Sequence, residues 1–344
     1  MAETSVKISF IEKNMPSYFS FSNITAAVKY KGTQKELLKG VSGFVKPGES
    51  LAIMGPSGAG KTTLLDVLSY RKSVGTWSDD IHLNGVKLKK EAFIKRAGYV
   101  TSEDVQHPEL TVLETLNFAA ALRLPAQSSA EQRAQRIAEV VDEMHLNDVL
   151  GRKVGSALER GLSTGERKRL NIALELIPVA SVFFMDEPTT GLDSNTGREV
   201  ISSIMEVVRG RQLACIATIH QPSYSILRQF DRLLLLANGE VVYFGPTAEA
   251  IPYFEELNVA VVGNPAEIYA EVLAAQPDEF IAAYAKSTLR ASNEKKIEEI
   301  HSGTGSIANF VSTIEDPTAG FWGSLGFWQN ATGLNQASSC DCDD

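Results

Sequence analysis

Cysteine is scarce in this chain, with three in 344 residues: Cys215 inside an apolar stretch, and Cys340 and Cys342 in an acidic tail. That excludes a disulfide framework and suits a reducing cytosol. The tail pair lacks the further ligands that zinc requires. Long apolar runs are missing too. Val179–Met185 and Leu233–Ala237 fall far short of the roughly 20 residues that a membrane-spanning helix needs. The start, Met1-Ala2-Glu3-Thr4, has neither the basic nor the apolar block of a signal peptide. The expectation is a chain without a transmembrane helix. Positive charge is in deficit: 33 Lys and Arg against 42 Asp and Glu leave a net charge of -9, which argues against a nucleic-acid partner. There is no internal repeat. What remains is an ordinary hydrophobic content of 44%, enough at this length for a large α/β core or two domains.

The most informative stretch is Gly55-Pro56-Ser57-Gly58-Ala59-Gly60-Lys61-Thr62-Thr63. A glycine, four residues and then Gly-Lys-Thr is the spacing at which successive backbone N–H groups curl around the phosphates of a nucleoside triphosphate. Lys61 then reaches the outer phosphates and the Thr62 hydroxyl is offered to Mg²⁺. By chance the pattern arises in a chain of this length on the order of once in a hundred. Its flanks agree: Leu51-Ala52-Ile53-Met54 reads as a buried strand, and Leu64, Leu65 and Leu68 recur on one helical face. A helix N-terminus is thereby aimed at the phosphates.

Around this loop the periodicity alternates. Tyr18 to Val45 reads as an antiparallel β-element turning at Lys31–Gln34 and lying beside the loop's strand. Ile81 to Leu88 reads as a hairpin turning at Asn84-Gly85, followed by a strand over Ala97–Thr101. From Leu110 the period becomes helical: Thr111 caps a helix with Glu114 three residues on, and a second helix runs over about Ala130–Met144. A third, from about Gly165 to Leu176, begins with basic residues on a solvated face. The sheet returns in Val182–Met185, Leu213–Ile219, Arg232–Leu236 and Glu240–Phe244, with helices over Asn195–Val208 and Ser223–Gln229 between them. Further helices cover Ala248–Leu257 and Pro265–Ala274. Strands alternating with helices around a phosphate loop predict a mostly parallel sheet.

Asp186 and Glu187 end a short apolar run, as the end of a buried strand should. There Asp186 suits Mg²⁺, and Glu187, on the opposite side, suits orienting an attacking water. Together with Arg160-Gly161-Leu162-Ser163 leading into Gly165-Glu166-Arg167-Lys168-Arg169, Pro188-Thr189-Thr190-Gly191-Leu192-Asp193, His220-Gln221-Pro222-Ser223 and Asn264-Pro265-Ala266, these residues resemble the nucleotide-binding domain of ATP-binding cassette (ABC) transporters of the G subfamily, the white and pleiotropic-drug-resistance group. The resemblance covers about Tyr18 to Ala275.

The resemblance implies an α/β P-loop NTPase (RecA-like) fold: a mostly parallel sheet core with an antiparallel β subdomain and a helical signature subdomain. The implied organisation is an N-terminal segment over 1–17, a nucleotide-binding domain over 18–250 with its helical subdomain at about 105–175, a helical extension over 251–301, and a disordered or loosely docked tail over 302–344. Gly55, Pro56, Ser57, Gly58, Ala59, Gly60, Lys61, Thr62 and Thr63 match the Walker A loop, which holds ATP. Thr62 and Asp186 correspond to the Mg²⁺ ligands, Glu187 to the catalytic glutamate and His220 to the switch histidine. Ser163 and Gly165 match the signature motif, which in the family meets the γ-phosphate of ATP held by a second cassette, and Asp193 matches the loop that crosses that dimer interface.

The family's chemistry implies ATP hydrolysis in a head-to-tail homo- or heterodimer, powering transport through a membrane domain. Such a domain normally follows in the same chain, whereas this one stops in Ser338–Asp344; the expectation is therefore an isolated cassette at the cytoplasmic face of a membrane, with its transmembrane partner on another chain. The alternatives are a regulatory or truncated cassette with little turnover, and a soluble ABC protein of translation or DNA maintenance. Three departures predict slow hydrolysis. Ser102 stands where the family has a glutamine that touches Mg²⁺ and water, with Glu103 and Asp104 as nearby substitutes; Thr164 replaces a signature glycine; and the adenine-stacking aromatic falls to Tyr30 or, less well, to Ala26.

Overall fold

The computed structural model describes residues 16–103, 106–156 and 161–302. The expectations for the N-terminal segment before residue 16, for Asp104, for Arg160 and for the tail beyond 302 lie outside the described residues.

The chain opens with a hairpin of β1 (Phe19–Tyr30) and β2 (Thr33–Val45), turned by Lys31-Gly32, both at positive φ (49° and 80°) as a tight two-residue turn demands. Then come β3 (Ser50–Met54), α1 (Lys61–Leu68), the short strands β4 (Thr76–Trp77) and β5 (Ile81–Leu83), α2 (Lys90–Ile94) and β6 (Ala97–Val100). Helices α3 (Val112–Arg123), α4 (Ala130–Glu143) and α5 (Thr164–Leu176) precede β7 (Val182–Asp186), α6 (Ser194–Arg211), β8 (Ala214–Thr218), α7 (Tyr224–Leu227), β9 (Arg232–Ala237) and β10 (Glu240–Pro246). Four more helices follow: α8 (Ala250–Glu256), α9 (Pro265–Ala275), α10 (Pro277–Ala285) and α11 (Thr288–His301).

The core sheet has the order β10-β9-β3-β8-β7-β6. Its strands run parallel except β10, which returns antiparallel to β9. Every residue of β3 and β8 is buried, as expected of parallel strands covered on both faces. Period-2 alternation sends Leu51 and Ile53 into one core with Phe184 and α1's Leu64 and Leu65, and Ala52 and Met54 into the other with Phe183 and Met185. The second core continues into α3, α4 and α6 through Leu116, Val140, Ile201 and Ile204.

Two expectations are corrected here. The antiparallel element does not pair beside the P-loop strand. It forms a sheet of its own, β2-β1-β4 with β5 also on β1, because both edges of β3 are taken by β8 and β9. It meets the core through Phe19, Phe21, Val41 and Phe44 and through one backbone bond, Lys39 N to Gly239 O at 2.9 Å. The hairpin after Asn84-Gly85 is also curtailed. Its returning arm is reduced to a bridge between Leu83 and Val86, and Lys90–Ile94 coils into α2. The buried partner of β5 is β1, which offers Phe19 and Phe21, while the returning arm, with Lys87, Lys89 and Lys90, has no comparable apolar set to pair.

The helices after β6 are capped as the sequence asks. Thr111 and Glu114 form a reciprocal capping box at α3, Ser129 and Gln132 one at α4, and Ser163 and Glu166 one at α5. The buried Arg136 of α4 donates to the carbonyls of Leu176 and Ile177 at 2.8 and 2.9 Å, satisfying orphan acceptors at the end of α5. Arg123 and Glu175 form a bidentate pair at 2.7 and 2.6 Å that locks α3 to α5.

Candidate functional site

The parallel strands end in one register row. Ile53 of β3 lies opposite Thr218 of β8, which lies opposite Asp186 of β7. The loop after β3, Glu187 after β7, and Ile219-His220 after β8 therefore leave the same edge of the sheet, with Ile219 N donating to Ile53 O at 3.0 Å. Ligands of open α/β sheets bind outside the carboxyl ends of such strands.

The phosphate loop is shaped by glycines with different duties. Gly55 has φ 150°, and a Cβ there would lie 2.2 Å from the Leu236 carbonyl oxygen of β9, so close backbone packing requires glycine. Gly58 has φ 78° with nothing within 4 Å of a Cβ, so its backbone faces open space. Gly60, at φ 104°, is the N-cap of α1 and supplies no side-chain cap. The first-turn N–H groups of α1 are thus left for an anion, with the helix dipole behind them. These residues fit a phosphate chain. Lys61 is buried and its Nζ donates to the carbonyls of Gly55 and Pro56 at 2.9 and 3.0 Å. Burial holds its pKa below the ordinary lysine value, while the charge of Glu187 acts the other way. Thr62 is exposed.

The acids are held by a residue that pattern reading passed over. Thr218, wholly buried, donates its hydroxyl to Asp186 Oδ1 at 2.6 Å and accepts from Glu187 N–H at 3.0 Å. Its one signal was a hydroxyl inside the otherwise apolar run Leu213–Ile219. Glu187 adopts the left-handed region, φ 46°, a strained conformation for a non-glycine residue. The Thr190 hydroxyl donates to its Oε2 at 2.8 Å. Asp66 of α1 also went unnoticed. Burial raises its pKa, and the negative charge of Asp186 adds to the rise. His220 is exposed immediately beyond β8.

The remaining expected residues lie apart from this row. Ser163 is the exposed N-cap of α5, its Oγ accepting from Glu166 N–H at 3.2 Å. Thr164 is exposed too, whereas Gly165 is buried and a Cβ on it would meet Thr196 Cγ2 at 2.5 Å. Glycine at 165 thus also lets α5 pack closely on α6. Asp193 caps α6, accepting from Asn195 N–H, Thr196 N–H and the Thr196 hydroxyl at 3.0, 3.1 and 2.6 Å. Those bonds lower its pKa, the Thr196 hydroxyl most. The Ser102 carbonyl accepts from Lys168 of α5 at 2.8 Å and the Thr101 carbonyl from Asn171 at 3.4 Å, tying the strand-end loop to the helix that begins at Ser163. Of the two candidates for adenine stacking, Tyr30 is 59% exposed and Ala26 is buried, which removes Ala26.

Comparison with known proteins agrees with the motif order. Residues 38–190 match the family model described as ABC transporter, and residues 220–287 match one described as ABC-2 type transporter. The second match falls on α7, β9, β10 and short helices. Among the described residues no helix is long and apolar enough to cross a membrane. The chain is 41% identical over 263 residues to ABC transporter G family member 22 of Arabidopsis thaliana, covering 74% of this chain and 35% of the relative. It is 40% identical over 278 residues to ABC transporter G family member 1 of Dictyostelium discoideum (79% and 34%). With the broad substrate specificity ATP-binding cassette transporter ABCG2 of Sus scrofa it shares 42% over 265 residues (74% and 40%). The chain therefore spans a little over a third of the length of these relatives. A bacterial ABC transporter cassette solved in dimeric form superposes with a TM-score of 0.54 at 24% identity, covering 67% of this chain and 98% of the other, which shows the P-loop NTPase fold. Phosphate loop, strand-end acids and matched segments together make this chain similar to the ATP-binding cassettes of ABC transporters, G-family members among them.

Proposed function

We propose that this cassette binds MgATP at the row formed by Gly55–Thr63, Asp186, Glu187 and His220, hydrolyses it in a head-to-tail pair of cassettes, and powers transport through a membrane domain. The observation that carries the reading is the register Ile53–Thr218–Asp186, which delivers the phosphate loop, the paired acids and the histidine to one edge of the sheet.

Each side chain has a task there. The N–H groups of Gly58 to Thr62 cradle the phosphates and Lys61 swings from its own loop carbonyls to the outer ones. The Thr62 hydroxyl and Asp186 hold Mg²⁺, which when bound neutralises charge on the outer phosphates. Thr218 orients Asp186. Glu187, fixed by Thr190, orients and polarises water, and His220 reaches toward the γ-phosphate. Ser163, exposed at the head of α5, is available to a second cassette's ATP, as is the helix dipole behind it. Domain limits of 18–250 with a helical part at about 105–175, and a place at the cytoplasmic face of a membrane, belong to the same reading.

The test is Glu187→Gln. Glutamine keeps size and hydrogen-bonding reach, so ATP binding persists while hydrolysis falls by roughly 10²–10⁴-fold. Trapped ATP then holds two chains together, and light scattering shows a dimer with ATP but not with ADP. Hydrolysis at the wild-type rate would remove the role of Glu187. A chain that binds ATP, does not hydrolyse it and stays monomeric would remove the paired site.

A further inference from the structure

Outside the phosphate-loop row, two histidines 219 positions apart in sequence meet. His82 is the middle residue of β5, paired in register with Ser20 of β1, and His301 is the last residue of α11. Their ring centroids are 4.0 Å apart with the planes inclined at 40°. Asp80 Oδ1 lies 3.8 Å from His82 Nε2. One ligand atom from each of Asp80, His82 and His301 can be chosen so that all lie within 4.8 Å of one another. We propose that Asp80, His82 and His301 bind a zinc ion, which ties the end of α11 to the antiparallel sheet.

Several features favour an ion over simple ring stacking. His82 presents Nε2 to Asp80, which makes Nε2 its ligand atom. The buried Ser20 hydroxyl is 3.1 Å from His301 Nε2. That is the outer bond by which a metal-binding imidazole is oriented through its second nitrogen, and it leaves Nδ1 of His301 for the ion. The backbone is already set on both sides, since a Cβ on Gly85 would lie 2.5 Å from the Ile300 carbonyl oxygen.

The chemistry suits zinc in particular. Imidazole ligates in its neutral form. Two imidazoles and one carboxylate form a nitrogen-rich set that suits zinc, whereas Mg²⁺ and Ca²⁺ want oxygen. Zinc–nitrogen bonds of about 2.0–2.1 Å in a tetrahedron place ligand atoms roughly 3.4 Å apart. Ligand atoms now within 4.8 Å of one another must draw together to bind it, and Asp80, whose side chain is 47% exposed, has room to swing. Water fills the fourth position. Lys87 is the opposing charge, and its ammonium is engaged by Asp79 at 2.8 Å.

The experiment uses the full chain with Cys340→Ser and Cys342→Ser, so that the tail thiols do not take up metal, freed of nucleotide and treated with chelator. Zinc chloride alone is titrated in by calorimetry, and hydrogen exchange over residues 297–302 is followed with and without zinc. One equivalent binds, and exchange at the end of α11 slows. Ser20→Ala weakens binding by about 10–100-fold, while Asp80→Asn and His301→Gln each weaken it by more and abolish the slowing of exchange. Asp80→Asn, altering a half-exposed side chain, guards against a result due to misfolding, and circular dichroism checks each variant. Absence of zinc uptake, or uptake undiminished in the His82→Gln, His301→Gln double variant, overturns the site.

Discussion

Replacing Thr218 by valine keeps the shape of a wholly buried β8 residue and deletes one hydroxyl. Glu187 N–H loses the Thr218 Oγ1 acceptor at 3.0 Å but keeps the Thr218 carbonyl at 3.2 Å, so the uncompensated loss falls on Asp186 Oδ1, bonded at 2.6 Å. A hydrogen bond to a charged group contributes about 1.5–3 kcal/mol, and the added methyl returns up to about 0.8 kcal/mol by burial. The net cost is about 1–2 kcal/mol. If it falls on the orientation of Asp186, Mg²⁺ binding in the presence of ATP weakens by about 5–30-fold, seen as a rise in the Mg²⁺ concentration giving half-maximal ATPase. Urea denaturation without nucleotide separates this from global instability, and Thr218→Ser, which keeps the hydroxyl, restores wild-type Mg²⁺ dependence. A Thr218→Val chain that is destabilised as calculated yet has unchanged Mg²⁺ dependence would refute the positioning role. A chain unchanged in both measurements would refute the hydrogen-bond reasoning itself.

Lys61→Ala removes a phosphate-facing charge and leaves its loop carbonyls to water. ATP affinity is lost in a folded chain, and nucleotide titration alongside circular dichroism checks this. Ser102→Gln restores a side chain long enough to reach metal and water and raises turnover in a steady-state ATPase assay; a fall or no change counts against position 102. Burial lowers the pKa of His82 and of His301 below the ordinary 6.5, so the unfolded chain takes up these protons first. Stability is therefore retained above pH 6.5 and falls as pH drops below it. The urea midpoint in the absence of metal should decrease between pH 7.5 and 5.5, and the decrease should shrink in His301→Gln.

Much of the chain was legible locally. Gly55–Thr63 announces its loop because each residue acts through its own backbone or reach, and Thr111 with Glu114 announces a helix start because both halves of the capping box lie three residues apart. The apolar runs of β3, β7 and β8 read as buried strands for the same reason, since burial on both faces leaves no polar alternation to interpret. Even the implied tie between Asp186 and Glu187 needed only adjacency on a strand end.

Other features depended on which strand lies beside which. The antiparallel element was expected beside β3, and only the pairing of β3 with β8 and β9 sends it to a separate sheet. Thr218 looks like one hydroxyl in an apolar run until β8 is registered against β7, when it becomes the partner of Asp186. Gly165, which the motif ties to phosphate, also turns out to pack against Thr196 of α6. His82 and His301, each unremarkable in its own stretch, come together only because α11 packs back onto β1 and β2. Local propensity, capping and period act between residues a few positions apart and so are written in the sequence. Register and long-range contact are selected by burying whole faces at once against the entropy of closing long loops, and no window of residues carries that choice.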